Sequence, residues 1–159
     1  MNTKYEFTGE TKIVYGRTLR RIKAIVAIGS TVVPGDIGGW IESENNLSVC
    51  GNAWVCGNAR VYGDARVSGD ARVSDNAMVS GDARMSVDTD YMTFKNSWSS
   101  GRWFTYTASN KKWKVGCFYG TGDELVRKAY SDSELSGKCY EAIVRAVEAI
   151  EAAKESEVK

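Results

Sequence analysis

The chain has 159 residues, of which 43% are hydrophobic, and 21 Lys and Arg residues nearly balance 20 Asp and Glu residues. The length and hydrophobic content predict a folded chain of one compact domain with small appendages. The balanced charge argues against an acidic DNA mimic or a basic nucleic-acid coat, so duplex DNA is not an expected partner. The sequence contains no histidine, the commonest general base and metal ligand. We therefore expect no catalytic residues, no metal site and no cofactor.

The sequence also predicts where the protein resides. No apolar run approaches the ~18 residues of a membrane span, and the first residues, MNTKYEFTGETK, lack the apolar core of a signal peptide. We expect a cytoplasmic protein that does not interact with membranes. Its cysteines, Cys50, Cys56, Cys117 and Cys139, are then expected to stay reduced.

The N-terminal region alternates in hydrophobicity over residues 4–28 and carries Gly16 in the middle of the run. This pattern predicts a β-hairpin followed by a strand. The turn-rich link VVPGDIGGW (32–40) follows. We assign residues 1–34 to an N-terminal β cap.

A six-residue repeat then extends from Val49 to Arg84, with units such as VYGDAR and VSGDAR. In each unit the alanine and the next valine lie two residues apart and therefore point to the same side of a strand. The Gly-Asn or Gly-Asp pair is a turn signal, so each unit is predicted to be one short strand and one corner. Ile41 and Leu47 fall in the alanine register and are predicted to form a degenerate first coil.

This repeat resembles that of hexapeptide-repeat proteins, which form a left-handed parallel β-helix with three strands per coil. The resemblance implies that residues 18 apart stack, with Val49 over Val67 over Met85, and Val61 over Val79. We assign residues 35–89 to this β-helix. The acyltransferases and γ-class carbonic anhydrases of this class use histidines, so the resemblance does not carry either activity to this chain.

The composition changes after Thr89, and residues 90–159 are assigned to a C-terminal α+β module. Its aromatic and β-branched segments, YMTFK, RWFTYT and KWKVGCFY, predict three antiparallel strands. Alternation along the third places Trp113, Val115, Cys117 and Tyr119 on one face. Two helices are expected to follow, one starting in a capping box of Thr121 and Glu124 and one near residues 137–156. The fold class is thus mainly β, with an N-terminal hairpin cap and a C-terminal βββαα module.

The whole arrangement is similar to phage and prophage proteins of the hexapeptide-repeat class. The segments that carry this similarity are FTGETK…LRRI, GDIGGWIESE and GCFYGTGDEL. The resemblance implies a bacteriophage or prophage gene acting in a bacterial host cell.

The outward residue of each repeat is the first candidate for ligand binding. The 18-residue spacing places Trp54 with Arg72, Arg60 with Met78, and Arg66 with Arg84 on three faces. Arginine suits phosphate and carboxylate groups, and in a homotrimer the Arg66–Arg84 face would form an anion-binding cleft between subunits. The alternative is that these arginines pair with Asp64, Asp70 and Asp82 as solvated surface charge.

The second candidate lies in the C-terminal module, where the loop NSWSSGR contains Trp98 and Arg102. Aromatic planes beside guanidinium groups suit nucleobases and phosphates. Trp103 and Trp113 are expected to be structural instead. The predicted ligand-binding residues are Trp54, Arg60, Arg66, Arg72, Arg84, Trp98 and Arg102.

Three functions remain open from the sequence. The first is a phage-encoded, trimeric, non-enzymatic protein that sequesters a small anionic ligand of nucleotide type, such as a host immune signal. The second is an anti-defence inhibitor that docks on a host defence protein, or an oligomeric scaffold. The third is a degenerate hexapeptide-repeat transferase, which would need a pair of acidic residues in a deep cleft.

Overall fold

The computed structural model describes residues 2–158, and strands dominate it up to residue 120. The N-terminal strands are β1 (Tyr5–Val14), β2 (Arg17–Ala24) and β3 (Ile37–Ile41). The repeat forms β4 (Trp54–Val55), β5 (Arg60–Val61), β6 (Arg66–Val67), β7 (Arg72–Val73), β8 (Met78–Val79) and β9 (Arg84–Met85). The C-terminal elements are β10 (Tyr91–Lys95), β11 (Trp103–Thr107), β12 (Lys112–Val115), β13 (Phe118–Gly120), α1 (Gly122–Asp132) and α2 (Glu134–Val158).

The repeat strands pair in parallel with partners 18 residues away, as the spacing predicts. Trp54 pairs with Arg72, Arg60 with Met78, and Arg66 with Arg84. From Ala53 to Ala83, every alanine and valine of the repeat is at most 1% exposed, so these side chains form a continuous core between the strands. At the corners the glycines have positive φ, and Asp75 adopts the same conformation at φ 59°, which aspartate tolerates better than most residues.

The first coil differs from the predicted register. Ile41 pairs with Val61, and Leu47 forms a bridge to Val67, so both occupy the valine position rather than the alanine position. Leu47 is fully buried and Val49 is 45% exposed. The predicted stack of Val49 over Val67 is therefore wrong, because the larger Leu47 fills that place and two extra residues separate it from the regular repeat.

The N-terminal hairpin extends one face of the repeat into a five-stranded sheet in the order β1-β2-β3-β5-β8. Its two-residue turn, Tyr15-Gly16, has positive φ at both residues, the geometry of a tight hairpin turn. The inner side of this block packs against the core of the repeat through Tyr5, Ile22, Ala24, Ile28 and Val32. Gly38 is required for this contact, since a Cβ there would lie 2.7 Å from the Val55 carbonyl oxygen.

The C-terminal module has four antiparallel strands instead of three. The predicted third strand turns at Gly116 (φ 55°), so that Val115 pairs with Phe118 and Lys114 with Tyr119. The predicted face of Trp113, Val115, Cys117 and Tyr119 is consequently wrong: Cys117 is exposed in the turn, and Tyr119 lies on the side of Lys114.

The helices cover one face of this sheet. Thr121 and Glu124 form the predicted capping box, with each side chain accepting a hydrogen bond from the backbone N–H of the other. The core between sheet and helices consists of Phe104, Tyr106, Trp113, Val115, Leu125, Val126, Val144 and Val147. Within residues 2–158 no helix has the length and apolar character needed to cross a lipid bilayer.

The other face of the C-terminal sheet, with the segment leading into it, covers the last coil of the repeat. Side chains of the C-terminal segment accept hydrogen bonds from backbone N–H groups at the end of the repeat. In a longer repeat, the next coil would accept these hydrogen bonds. These pairs are Thr105 with Met78 (2.9 Å), Ser109 with Arg84 (2.8 Å), Asp88 with Arg72 (2.7 Å) and Tyr91 with Ser74 (3.3 Å). The open strand edges are thereby protected from pairing with other chains.

Candidate anion-binding site

The structure separates the predicted ligand-binding residues into several places. Arg66 and Arg84 line one open groove, and Arg60 and Arg102 line one pocket. Arg72 lies on another face, where its guanidinium donates to the Thr31 hydroxyl at 2.6 Å.

Trp54 and Trp98 have structural surroundings. Trp54 is 1% exposed within the core of the repeat, because the N-terminal block covers the side that the spacing marks as outward. The structure therefore removes Trp54 from the surface residues that can contact a ligand. Trp98 stacks on Phe104, with 6.3 Å between ring centroids, and meets Tyr140 edge-on, although 38% of it stays exposed.

The arginines of the repeat do not pair with the corner aspartates. Within residues 2–158, no carboxylate lies within 4 Å of the guanidinium nitrogens of Arg60, Arg66, Arg72 or Arg84. Asp82 instead accepts a hydrogen bond from Asn110, and Asp70 accepts one from Asn52. The alternative of simple surface ion pairs is therefore wrong for these residues.

The Arg66–Arg84 groove is a wide, open depression of about 820 Å³. It contains basic and acidic side chains in equal number: Arg17, Arg66 and Arg84, with Glu42, Asp64 and Asp82. Arg17 pairs with Glu42 at 2.9 Å, and Arg84 donates to the Asp64 backbone carbonyl at 3.0 Å. A groove of balanced charge has little preference for an anion over a cation.

The Arg60 pocket, by contrast, has a basic and aromatic lining. It measures about 180 Å³ and is lined by Tyr15, Arg60, Asn76, Met78, Arg102, Trp103 and Gly116. The Nε atom of Arg60 is buried without a protein hydrogen-bond partner, and one terminal nitrogen donates only to the Met78 sulfur, at 3.7 Å. A buried N–H donor without an acceptor is costly, so the Arg60 guanidinium has unmet hydrogen-bonding capacity beside this pocket.

Further cations surround this pocket on the same side of the sheet. Lys114 lies 4.4 Å from the centre of the Tyr15 ring and is buried, and burial lowers the pKa of its ammonium. Lys12 lies 4.1 Å from the centre of the Trp40 ring. Burial, and then the neighbouring Arg60 and Arg21, lower the pKa of Lys12 from 10.5 to about 8.

The backbone register explains why these groups meet. Arg21 pairs with Trp40, Trp40 with Arg60, and Arg60 with Met78, so the four side chains form one row across strands β2, β3, β5 and β8. Below this row, Tyr62 belongs to a small core with Val14, Leu19 and Trp40. The Tyr62 hydroxyl lies near Ser80 but makes no hydrogen bond of ordinary geometry, and burial raises the pKa of Tyr62 to about 12.

Residues 53–69, 59–74 and 71–86 match the family model of the YdcK β-solenoid repeat. This part of the chain is a β-solenoid repeat. The matches span strands β4 to β9, the part of the chain whose parallel pairing is described above. No protein of curated function matches this chain.

Several residues around the Arg60 pocket lie outside the β-solenoid repeat, and the sequence pattern did not mark them. These are Lys12, Tyr15, Arg21 and Trp40. Alternation within the hairpin places Lys12 and Val14 on one side of β1, but only the pairing of β2 with β3 brings that side next to Arg60. Among the described residues, no cluster of three or more Cys, Asp or Glu side chains has the arrangement of a metal site.

Proposed function

We propose that this protein is a non-enzymatic binding protein for a small anionic ligand, and that the Arg60 pocket holds the anionic group. The observation that carries this proposal is the Arg60 guanidinium, whose buried Nε lacks a protein acceptor and which has no carboxylate within ion-pair distance in the described chain. Desolvated cations without partners are typical of binding sites, since structural ion pairs satisfy their own charge.

The lining of the pocket favours an anion attached to a planar group. Tyr15 and Trp103 present aromatic rings beside the guanidinium groups of Arg60 and Arg102. Aromatic rings stack with bases, and arginine binds phosphate through paired donors. A nucleotide-type ligand combines both features, and this supports the first function that the sequence predicts, with Arg60 and Arg102 as its central residues.

Binding without catalysis is part of the same proposal. Histidines and unpaired carboxylates are the usual groups for acid–base chemistry, and the chain has no histidine. The carboxylates on this face, Glu10 and Glu42, pair with Arg21 at 3.4 Å and Arg17 at 2.9 Å. A degenerate transferase therefore finds no support in the described residues of this face.

We further infer that the β-solenoid is a left-handed coil with three strands per turn and that the protein is a homotrimer. The 18-residue offset between paired strands supports three strands per turn. The Arg66–Arg84 groove, open and balanced in charge, suits contact with a second polar surface. A phage or prophage origin, a cytoplasmic location in a bacterial host and a host immune signal as ligand belong to this proposal on the strength of the sequence resemblance alone.

Native mass spectrometry tests the proposal. The protein is incubated with an extract of phage-infected bacterial cells, and the intact mass is compared with that of Arg60→Gln and Arg84→Gln treated identically. We expect an adduct of a few hundred daltons on the wild-type protein and on Arg84→Gln, and its loss in Arg60→Gln. An adduct that survives in Arg60→Gln and disappears in Arg84→Gln would place the ligand in the groove instead.

A protein-binding anti-defence inhibitor is the second candidate, and one observation favours it. Five apolar side chains between residues 25 and 49 are 38–58% exposed: Ile25, Val26, Val33, Ile37 and Val49. Exposed apolar groups of this kind can contact a partner protein. In a pull-down from bacterial lysate, Val33→Lys should release a host protein held by this surface, whereas Arg60→Gln should not.

A further inference from the structure

A second group of cations lies directly beside the Arg60 pocket. We call it the Trp40 subsite, and it consists of Lys12, Arg21 and Trp40. The Lys12 ammonium lies 4.1 Å and the Arg21 guanidinium 5.4 Å from the centre of the Trp40 ring. Because Trp40 pairs with Arg60 across adjacent strands, the subsite and the pocket are neighbours on one continuous face.

The charge of this face exceeds what one anionic group can neutralise. Its cations are Lys12, Arg17, Arg21, Arg60, Arg102 and Lys114, and its carboxylates are Glu10 and Glu42, where the Arg17–Glu42 pair also borders the Arg66–Arg84 groove. Six cations and two carboxylates leave an excess of four positive charges. The two carboxylates pair with Arg17 and Arg21, so that Lys12, Arg60, Arg102 and Lys114 have no ion-pair partner within the described chain.

The surroundings of Lys12 show that its charge is unfavourable before a ligand binds. Burial and the nearby Arg60 and Arg21 disfavour its protonated form, and the face of the Trp40 ring offers attraction without forming an ion pair. A second anion at this position would relieve the repulsion and restore the charge of Lys12.

We infer that the site takes a ligand with two separate anionic groups, the first in the Arg60 pocket and the second between Lys12 and Arg21 in the Trp40 subsite. This inference rests on the proposed function, because it assumes that the Arg60 pocket holds an anion. It narrows the ligand from any nucleotide-type anion to one with two phosphate or carboxylate groups at different positions.

Isothermal titration calorimetry with three matched probes tests the inference: adenosine, adenosine 5′-monophosphate and adenosine 3′,5′-bisphosphate. We expect no measurable binding of adenosine, and binding of the bisphosphate at least about tenfold tighter than that of the monophosphate, which is the usual strength of one added charge-assisted hydrogen bond. Lys12→Gln should reduce this advantage to about twofold or less, because it should weaken the binding of the bisphosphate more than that of the monophosphate.

Lys23→Gln is the matched control. Lys23 alternates onto the same side of the hairpin, but its ammonium already pairs with Glu6 at 2.7 Å. The control should retain the full preference for the bisphosphate. Arg60 and Arg21 act on the charge of Lys12, and the other titratable side chains on this face are Glu10, Arg17, Glu42, Tyr62 and Lys114. The variant leaves all of them in place.

Proton uptake provides a readout that a loss of structure would not produce. At pH 8 Lys12 is close to half protonated, and a bound anion favours its charged form, so the bisphosphate should bind with uptake of up to about half a proton. The number of protons is obtained by repeating the titration in buffers of different ionisation enthalpy. Lys12→Gln should abolish this uptake.

The two proposals fail in different ways. If the monophosphate and the bisphosphate bind equally, or if Lys12→Gln leaves the preference intact, the two-anion inference is overturned and the anion-binding proposal stands. If neither phosphate compound binds, or if adenosine binds as tightly as both, the anion-binding proposal falls and the inference falls with it.

Discussion

Two faces of the β-solenoid present arginine at the same outward repeat position, but the elements that surround the arginine differ between the two faces. On the Arg60–Met78 face, the N-terminal hairpin extends the sheet on one side, and the C-terminal sheet covers it on the other. The Arg66–Arg84 face has only two strands and opens into a wide groove. An identical repeat position therefore holds a half-buried cation on one face and an exposed cation on the other.

The difference shows that the flanks, rather than the repeat, determine the chemistry of this protein. Arg66 and Arg84 share their groove with three carboxylates, whereas Arg60 shares its pocket with Arg102 and two aromatic rings. The repeat supplies regular positions for side chains. The N-terminal hairpin and the C-terminal sheet determine which of those positions are partly buried from solvent.

The largest expected effect on stability comes from removing a hydrogen bond between the C-terminal sheet and the Arg60–Met78 face. The matched change on the Arg66–Arg84 face should have a smaller effect. Thr105→Val removes the buried hydroxyl that accepts from the Met78 N–H, whereas Ser109→Ala removes an exposed hydroxyl that accepts from the Arg84 N–H. The first should lower the free energy of unfolding by about 1–3 kcal/mol, because a buried donor loses its acceptor. The second should cost less than about 0.5 kcal/mol, because water replaces the hydroxyl.

Urea unfolding followed by circular dichroism measures both variants. Equal losses for Thr105→Val and Ser109→Ala would contradict the difference in solvation between the two faces.

The architecture of the repeat was largely predictable from sequence, because the period of six directly encodes strand, corner and stacking. The prediction failed where the six-residue period is interrupted and no sequence feature shows the interruption. Between Leu47 and Ala53 the chain contains only one Gly-Asn corner, and two extra residues shift Ile41 and Leu47 from the alanine to the valine position. The turn at Gly116 was missed for a related reason, since alternation alone does not distinguish one long strand from two short ones.

Some individual residues of the candidate site were predictable from the sequence, but their arrangement in space was not. Arg60 and Arg102 both stand out in the sequence, the first as an outward repeat position and the second as a basic residue in an aromatic loop. Their meeting depends on the docking of the C-terminal sheet against β8, which no local pattern encodes. Lys12 and Trp40 reach the site through the pairing of β2 with β3, a contact between segments far apart in sequence.

A smaller effect is expected from the charge of Lys12 in the ligand-free protein. Its pKa falls from 10.5 to about 8 on folding, so below pH 8 the lysine is charged in both states and its charge opposes folding. Between pH 8 and 10.5 the unfolded chain binds more protons, and stability rises with pH. Lys12→Met should therefore stabilise the protein by about 1 kcal/mol at pH 7, a value reduced by the partial exposure of the side chain, and this gain should vanish near pH 10.5.

Lys23→Met provides the comparison for this prediction. Lys23 pairs with Glu6, so its replacement should bring no gain at pH 7. The measurement is the urea midpoint of each variant at pH 7 and pH 10.5. A destabilised Lys12→Met at pH 7 would mean that the Lys12 charge supports the fold instead of opposing it.

Selective NMR of the arginine side chains tests the central claim most directly, because it observes the Nε–H groups of Arg60 and Arg84 in the same sample. During titration with adenosine 5′-monophosphate, the Arg60 Nε–H resonance should move downfield as it gains an acceptor, and the Arg84 resonance should stay within the shift caused by added salt alone. Binding that moves Arg84 and leaves Arg60 unchanged would contradict the account and assign the anion to the open groove.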